Sequence, residues 1–243
     1  MRKFIIYFAI VLTVLASGCI FPARNTRVLG SGKVATETRR VSGFTDVELS
    51  GIGTLVIEQG AKESLKITAE DNILDYLKSD VFGKTLHLSV DDFVSIEPTE
   101  EIIYHLMVKN LNKIETSGLG NIEIEELDTS ELDLEISGSG NVKIENLLAD
   151  SLDIEVSGLG NIEIEGSVED QRIRLSGAGS FDAEDLKSSV AKIDISGTGK
   201  AVVWVEDELD VELSGVGSLQ YFGEPILNTE ISGIGTMKSL GNK

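Results

Sequence analysis

The sequence is poor in the residues from which catalytic and metal centres are usually built. Its 243 residues include one cysteine, Cys19, and two histidines, His87 and His105. A single cysteine excludes a disulfide framework and a thiolate zinc site, and two histidines leave little for imidazole ligation or a serine–histidine pair. Positive charge is also scarce, with 21 Lys and Arg against 41 Asp and Glu and a formal net charge of −20. That balance opposes non-specific attraction to nucleic acid or to an anionic membrane surface, so no nucleic-acid partner is expected. Proline occurs only 3 times, while 41% of the residues are hydrophobic and spread along the chain, which describes a folded body rather than a disordered one. Long apolar runs are missing apart from Phe4 to Leu15, which Thr13 interrupts. That run falls short of the ~20 residues a membrane-spanning helix needs.

What is present begins with an export signal. Met1-Arg2-Lys3 supplies positive charge, the apolar run follows, and Ala16-Ser17-Gly18 leads directly to Cys19. A lone cysteine after small residues resembles the lipobox of prokaryotic lipoproteins, with Ala16 where leucine is favoured. Residues 1–18 therefore read as a lipoprotein signal peptide, Cys19 as the lipidated first residue, and residues 19–30 as a tether. Removing residues 1–18 takes away two basic residues, leaving 19 minus 41, or −22. Such a body is held at a membrane by its acyl chains and not by its charge. The eleven steps from Cys19 to Gly30 reach about 40 Å when fully extended, which keeps the body close to the membrane.

The body is a repeat. The tetrad Ser-Gly-x-Gly begins at Ser50, Ser117, Ser137, Ser157, Ser176, Ser196, Ser214 and Ser232, and uses 16 of the 25 glycines. From Ser117 onward the spacings are 20, 20, 19, 20, 18 and 18 residues. Apolar residues alternate on both sides: Leu134/Ile136 before Ser137 and Val142/Ile144 after it, Ile154/Val156 before Ser157 and Ile162/Ile164 after it. Period-2 alternation predicts half-buried strands flanking each tetrad. A meander could place the tetrads at hairpin turns, and a solenoid could stack them as corners. Position-specific identity favours the solenoid, because Asn121, Asn141, Asn161 and Ser180 share one position and would form a polar ladder about 4.8 Å per rung. The period is also too short for a βαβ crossover. The expected fold is all-β: a right-handed parallel β-helix or β-solenoid with 18–20-residue glycine-cornered rungs, the corners needing φ > 0 and close chain approach. Residues 116–243 form the regular part. Residues 31–115 form a first, irregular part that carries insertions, includes a helix or turn over Asp71 to Lys78, and protects one end of the stack.

Two surface features follow from stacking. Outward residues two before each serine are Glu48, Glu115, Glu135, Glu155, Arg174, Asp194, Glu212 and Glu230, and those eight after include Glu125, Glu145, Glu165 and Glu184. In a solenoid these are columns, and Glu135, Glu155, Glu145 and Glu165 are the candidate cation ligands, with calcium the cation that oxygen-rich rows suit. The plainer expectation is a solvated acidic face, with Arg172 and Arg174 giving charge relief. The residue between the two glycines is apolar in six of eight copies, among them Leu119 and Leu159. A slip of the alternation at the corner would bury it, which is the reading we take. Strict alternation would expose it and make Leu119 and Leu159 part of a self-association interface.

The runs Gly30 to Val34, Arg40 to Gly53, Ser64 to Ile67 and Asn72 to Leu77, together with the Ser-Gly-x-Gly-Asn-Ile/Val repeats at Ser117, Ser137 and Ser157, resemble the GIN-domain family of putative adhesins. The resemblance implies an exported, lipid-anchored, non-catalytic surface protein on the cell membrane or envelope, with no cofactor. Its partner would be a glycan or a protein. Three functions stay open at this point: an adhesin or scaffold, a purely structural envelope lipoprotein, and a β-helix enzyme acting on polysaccharides. Fold alone supplies no catalytic site, and the carboxylates recur on nearly every rung with none singled out.

Overall fold

The computed structural model describes residues 26–243. The signal peptide, Cys19 and the tether up to residue 25 lie outside the described residues.

A rung is built from three short sides. In β13 (Ser139–Val156) the buried residues are Val142 and Ile144, then Leu147 and Ala149, then Leu152, Ile154 and Val156. Alternation holds within each side and slips by one residue between 144 and 147 and again between 149 and 152. Each slip turns the chain while keeping apolar residues inward, and the tetrad makes the third corner. The flanking rungs β12 (Leu127–Ile136), β14 (Leu159–Leu175), β15 (Ala178–Ile195) and β16 (Thr198–Leu213) pair in parallel with their neighbours along nearly their whole length. Like therefore stacks on like, as in the column Leu134, Ile154, Ile173, Ile193 and Val211. The core is a set of such columns, closed to solvent along the flanks of the stack.

The first tetrad belongs to this stack despite its distance in sequence. Strands β3 (Asp46–Leu49) and β4 (Ile52–Gln59) pair in register with β10 (Lys113–Thr116) and β11 (Leu119–Ile124), so Glu48 meets Glu115 and Gly53 meets Gly120. The intervening residues 60–112 form the end cap. Within them β7 (Thr85–Val90) and β9 (Ile103–Val108) lie parallel beneath β3 and β4, and β5 (Ser64–Glu70) and β6 (Leu77–Phe82) then run antiparallel to them. Strand β2 (Val34–Arg39) completes this layer against β5. Residues Asp71 to Lys78 resolve into a 3-10 turn, Leu74–Tyr76, followed by β6. The switch from parallel to antiparallel ends the repeat, and Leu65, Ile67, Ile73 and Leu77 seal the core beneath it.

Part of the expected tether is ordered. Thr26–Leu29 is a strand, β1, paired with β8 (Val94–Glu97), and Gly30 donates to the Glu97 carbonyl. At the opposite end β17 (Ser218–Phe222), β18 (Ile226–Ile231) and β19 (Thr236–Gly241) make the last rungs. Among the described residues no helix is long and apolar enough to cross a membrane.

Candidate functional site

The tetrads form one straight corner. Ser137 and Gly138 both donate to the Thr116 carbonyl, at 2.9 and 3.2 Å, and Ser139 donates to Gly118 at 3.0 Å. The same pattern repeats at Ser157, Ser176, Ser196, Ser214 and Ser232, so the ladder runs through the corner without a loop. Here the expected role of glycine needs correction. Among the tetrad glycines only Gly53 has a positive φ. Most of the others are glycine because of the rung below: a Cβ on Gly138 would fall on the Gly118 carbonyl, and one on Gly160 would fall on the Gly140 carbonyl. Close approach of stacked backbones, and not a left-handed conformation, sets the sequence.

On most rungs the residue between the glycines points outward, Ile52 being packed against the core instead, so the expected slip does not occur at those corners. Leu119 is 61% exposed and Leu159 59%, and both stand in register with Ser139 between them. Ala178, Thr198, Val216 and Ile234 are exposed at the same place on later rungs. Beside this apolar column runs the polar ladder. Asn141 Nδ2 donates to Asn121 Oδ1 at 3.2 Å, Asn161 Nδ2 to Asn141 Oδ1 at 3.1 Å, and Ser180 Oγ to Asn161 Oδ1 at 2.7 Å.

On the side before the tetrads the acidic column is in perfect register: Glu48, Glu115, Glu135, Glu155, then Arg174, Asp194, Glu212 and Glu230. Basic side chains are interleaved with it. Lys113 Nζ lies 2.7 Å from Glu135, His87 Nδ1 is 2.6 Å from Glu48, and Arg174 contacts Asp153 at 3.0 Å and Glu155 at 3.3 Å. Arg174 thus gives the charge relief expected of it; no ion pair involves Arg172 among the described residues. Burial, reinforced by the charge of Asp153 one rung away, pushes the Asp133 carboxyl up, while its hydrogen bond to Glu135 pushes Lys113 up. After the tetrads, Lys143 sits 3.0 Å from Glu145 and 3.9 Å from Glu163. Glu165 shares a separate groove with Glu163, Asp182 and Glu184. The candidate cation ligands therefore lie on two different sides of the rung, Glu135 and Glu155 on one, Glu145 and Glu165 on the other. Among the described residues no three carboxylate, imidazole or thiolate groups converge as metal ligands. The rows are salt-bridged surface, and no calcium site is assigned.

A structural carboxylate that sequence reading missed sits at the capped end. Glu70 is fully buried. It accepts from Thr99 Oγ1 at 2.7 Å, from the Thr99 amide at 2.9 Å and from the Gly32 amide at 2.6 Å. Its carboxylate packs where a Cβ on Gly30 would stand. The Thr99 hydroxyl above all, with the amides of Gly32, Thr99 and Glu100, holds Glu70 below the usual carboxylate range against the opposing effect of burial. Nearby, Asn72 donates to the Leu29 carbonyl and accepts from the Ser31 amide. Together these bonds clamp the incoming arm, residues 29–33, to the cap. The only sequence signal was the pair of glycines flanking Ser31.

Among the described residues the geometry offers extended rows, a corner ridge and open surface grooves. The groove across β4, β11 and β13, about 220 Å³, is lined by Val56, Glu58, Glu123, Glu125, Lys143 and Glu145, which share one solvated side. Known structures have the same build. A putative adhesin from Bacteroides fragilis is 28% identical, with a TM-score of 0.85 over 88% of this chain and 100% of its own. A putative adhesin from Parabacteroides merdae, 18% identical, aligns with a TM-score of 0.71 over 88% of this chain and 99% of its own. A putative lipid binding protein from Parabacteroides distasonis, 22% identical, aligns with a TM-score of 0.69 over 88% and 100%. Comparison with curated proteins gives no match. Residues 43–225 match the family described as putative auto-transporter adhesin, head GIN domain, and they span the first tetrad, the cap and all but the last rungs, so the chain belongs to that family.

Proposed function

We propose that the protein is an exported lipoprotein, anchored through Cys19 at a cell membrane or envelope, whose solenoid is a non-catalytic adhesion or scaffold surface for a glycan or protein. Membership of the head GIN domain family carries this reading. The arm geometry supports it. Residues 26–33 are clamped to the capped end, so the anchor enters there and the regular rungs extend from it. Seven steps separate Cys19 from Thr26, a reach of about 25 Å at full extension. Recognition would use repetition: polar and acidic side chains recur every rung, about 4.8 Å apart, and many weak contacts add along a matching partner. A polysaccharide-cleaving role is disfavoured because two carboxylates in contrasting environments across a cleft are needed, whereas the grooves here are lined by carboxylates of a single side.

Fractionation of expressing cells tests the anchor. The wild-type protein is expected in washed membranes and accessible to a label on intact cells, and Cys19→Ser is expected to release it with its fold unchanged. Equal retention of Cys19→Ser would overturn the anchoring.

A further inference from the structure

The two ends of the stack are finished differently. At the capped end every inward residue is covered, Leu65, Ile67, Leu86 and Leu88 being fully buried. At the other end β18 and β19 form the final rung, and its inward positions are Leu227, Thr229, Ile231 and Met237, in register with Leu209, Val211, Leu213 and Leu219 below. These positions belong to the core columns, yet Leu227 is 42% and Ile231 49% exposed. Ile226 and Ile234, 71% and 81% exposed, extend the apolar surface around the rim. The outer edges of β18 and β19 also carry a row of backbone donors and acceptors: β18 pairs in register with β16 and β19 with β17, with no further strand paired to either among the described residues. A bare parallel edge over an open apolar core is the surface that natural repeat proteins cap or pair.

We infer that this final rung is a docking surface for the same rung of a second copy, giving a tail-to-tail pair with two-fold symmetry. Four observations select that occupant. Edge amides and carbonyls are met by another strand edge, which a second copy supplies with matching length. Charge permits it: residues 116–213 hold 24 acidic and 6 basic residues, a net of −18, whereas residues 214–243 hold Glu224, Glu230, Lys238 and Lys243, a net of zero. The terminal rungs are thus the one part of the repeat where two copies approach without strong repulsion. Head-to-tail stacking is blocked because the opposite end is closed by the antiparallel layer of β2, β5 and β6, which leaves the self-complementary, two-fold arrangement. Finally, the described residues 26–243 do not fold over the rung. Asn242 bonds to Glu224, and Lys243 turns down the flank to Asp185 and the Trp204 and Phe222 rings. The segment from Cys19 to Thr26 starts at the capped end, and its reach of about 25 Å is shorter than eight rungs at about 4.8 Å. If the protein is anchored as proposed above, such a pair carries its two anchors at opposite poles and joins two surfaces.

Sedimentation of the full chain in mild detergent tests the pair. A dimer mass that falls to the monomer on hundredfold dilution is expected for wild type. The double variant Leu227→Lys and Ile231→Lys should be monomeric at every concentration, while Leu119→Ser with Leu159→Ser, on the mid-stack ridge, should keep the dimer. Hydrogen exchange supplies a reading that needs no variant: amides of residues 226–231 and 236–241 should be protected at high concentration and exchange at least tenfold faster on dilution, those of β13 to β15 remaining unchanged. A wild-type monomer throughout, a dimer that survives the lysine variant, or tip exchange independent of concentration would each overturn the inference. The pairing is decided independently of the anchor, because Cys19→Ser protein should dimerise equally.

Discussion

Single residues carry two sharp consequences. Gly138 and Gly51 occupy the same place in their tetrads, yet a Cβ on Gly138 meets the Gly118 carbonyl, while one on Gly51 meets nothing nearer than 3.7 Å. Gly138→Ala is therefore expected to lose about 1–3 kcal/mol or more, as overpacking against backbone does, and Gly51→Ala to be close to neutral. Equal losses in denaturant unfolding would show that stacking distance is not the reason for glycine. Glu70 gives the second. Its carboxyl is held below the ordinary value near ~4.3, so its contribution to stability is fully present above that value and is lost as pH falls through the lowered folded value. Glu70→Gln should destabilise the protein at pH 7 and flatten the loss of melting temperature between pH 5 and pH 3. An acid limb unchanged in Glu70→Gln would assign it to other groups. At this scale the glycine pattern was legible in the sequence but its cause was not. Left-handed corners and close approach both select glycine, and only the stacking separates them. The outward turn of Leu119 was likewise hidden, because alternation alone does not say whether a corner slips.

Elements are rungs, and each is stable only through its neighbours. Ile154 is fully buried between Leu134 and Ile173. Ile154→Ala should cost roughly 2–5 kcal/mol, and hydrogen exchange should show the loss concentrated in β12 to β14. One rung carries a polar defect. Gln171 is buried in the column between Leu152 and Ala191, donating to Ser188 Oγ at 2.7 Å while its Oε1 has no partner. Ser188 still has the Trp204 carbonyl at 3.0 Å as an acceptor. Gln171→Leu removes an unsatisfied buried oxygen and should raise stability by roughly 1 kcal/mol; a lower unfolding midpoint would contradict this. The strands on either side of each tetrad were readable from period-2 alternation, and so was the Asn ladder. The middle side, Leu147 and Ala149 in β13, was not. It is only two inward residues long and lies between two slips, too short for alternation to declare itself. The Ser50 tetrad was readable as a member of the repeat, but the return of the chain from the cap to stack β10 on β3 was not, because an irregular segment separates Ser50 from Ser117.

For the whole molecule, charge and asymmetry dominate. Residues 19–243 carry −22, and Lys113, Lys143 and Arg174 compensate only locally. The raised carboxyl of Asp133 favours folding below its ordinary value and loses that contribution as pH rises through the raised one. Raising salt from 10 to 150 mM should therefore raise the melting temperature at pH 7 and do so less at pH 5, and calcium should act no better than magnesium at equal ionic strength. A calcium-specific rise would restore the acidic rows as a binding site. The asymmetry, one clamped and closed end and one open end, agrees with the proposed reading of a stack held at one end and displayed from it. Adhesion of intact cells is the direct measure of that claim. Cells displaying the wild-type chain should adhere to one another or to glycan- and protein-coated surfaces several-fold more than cells producing Cys19→Ser at equal expression. Equal adhesion by the two, with the wild type shown to be at the surface, would contradict it.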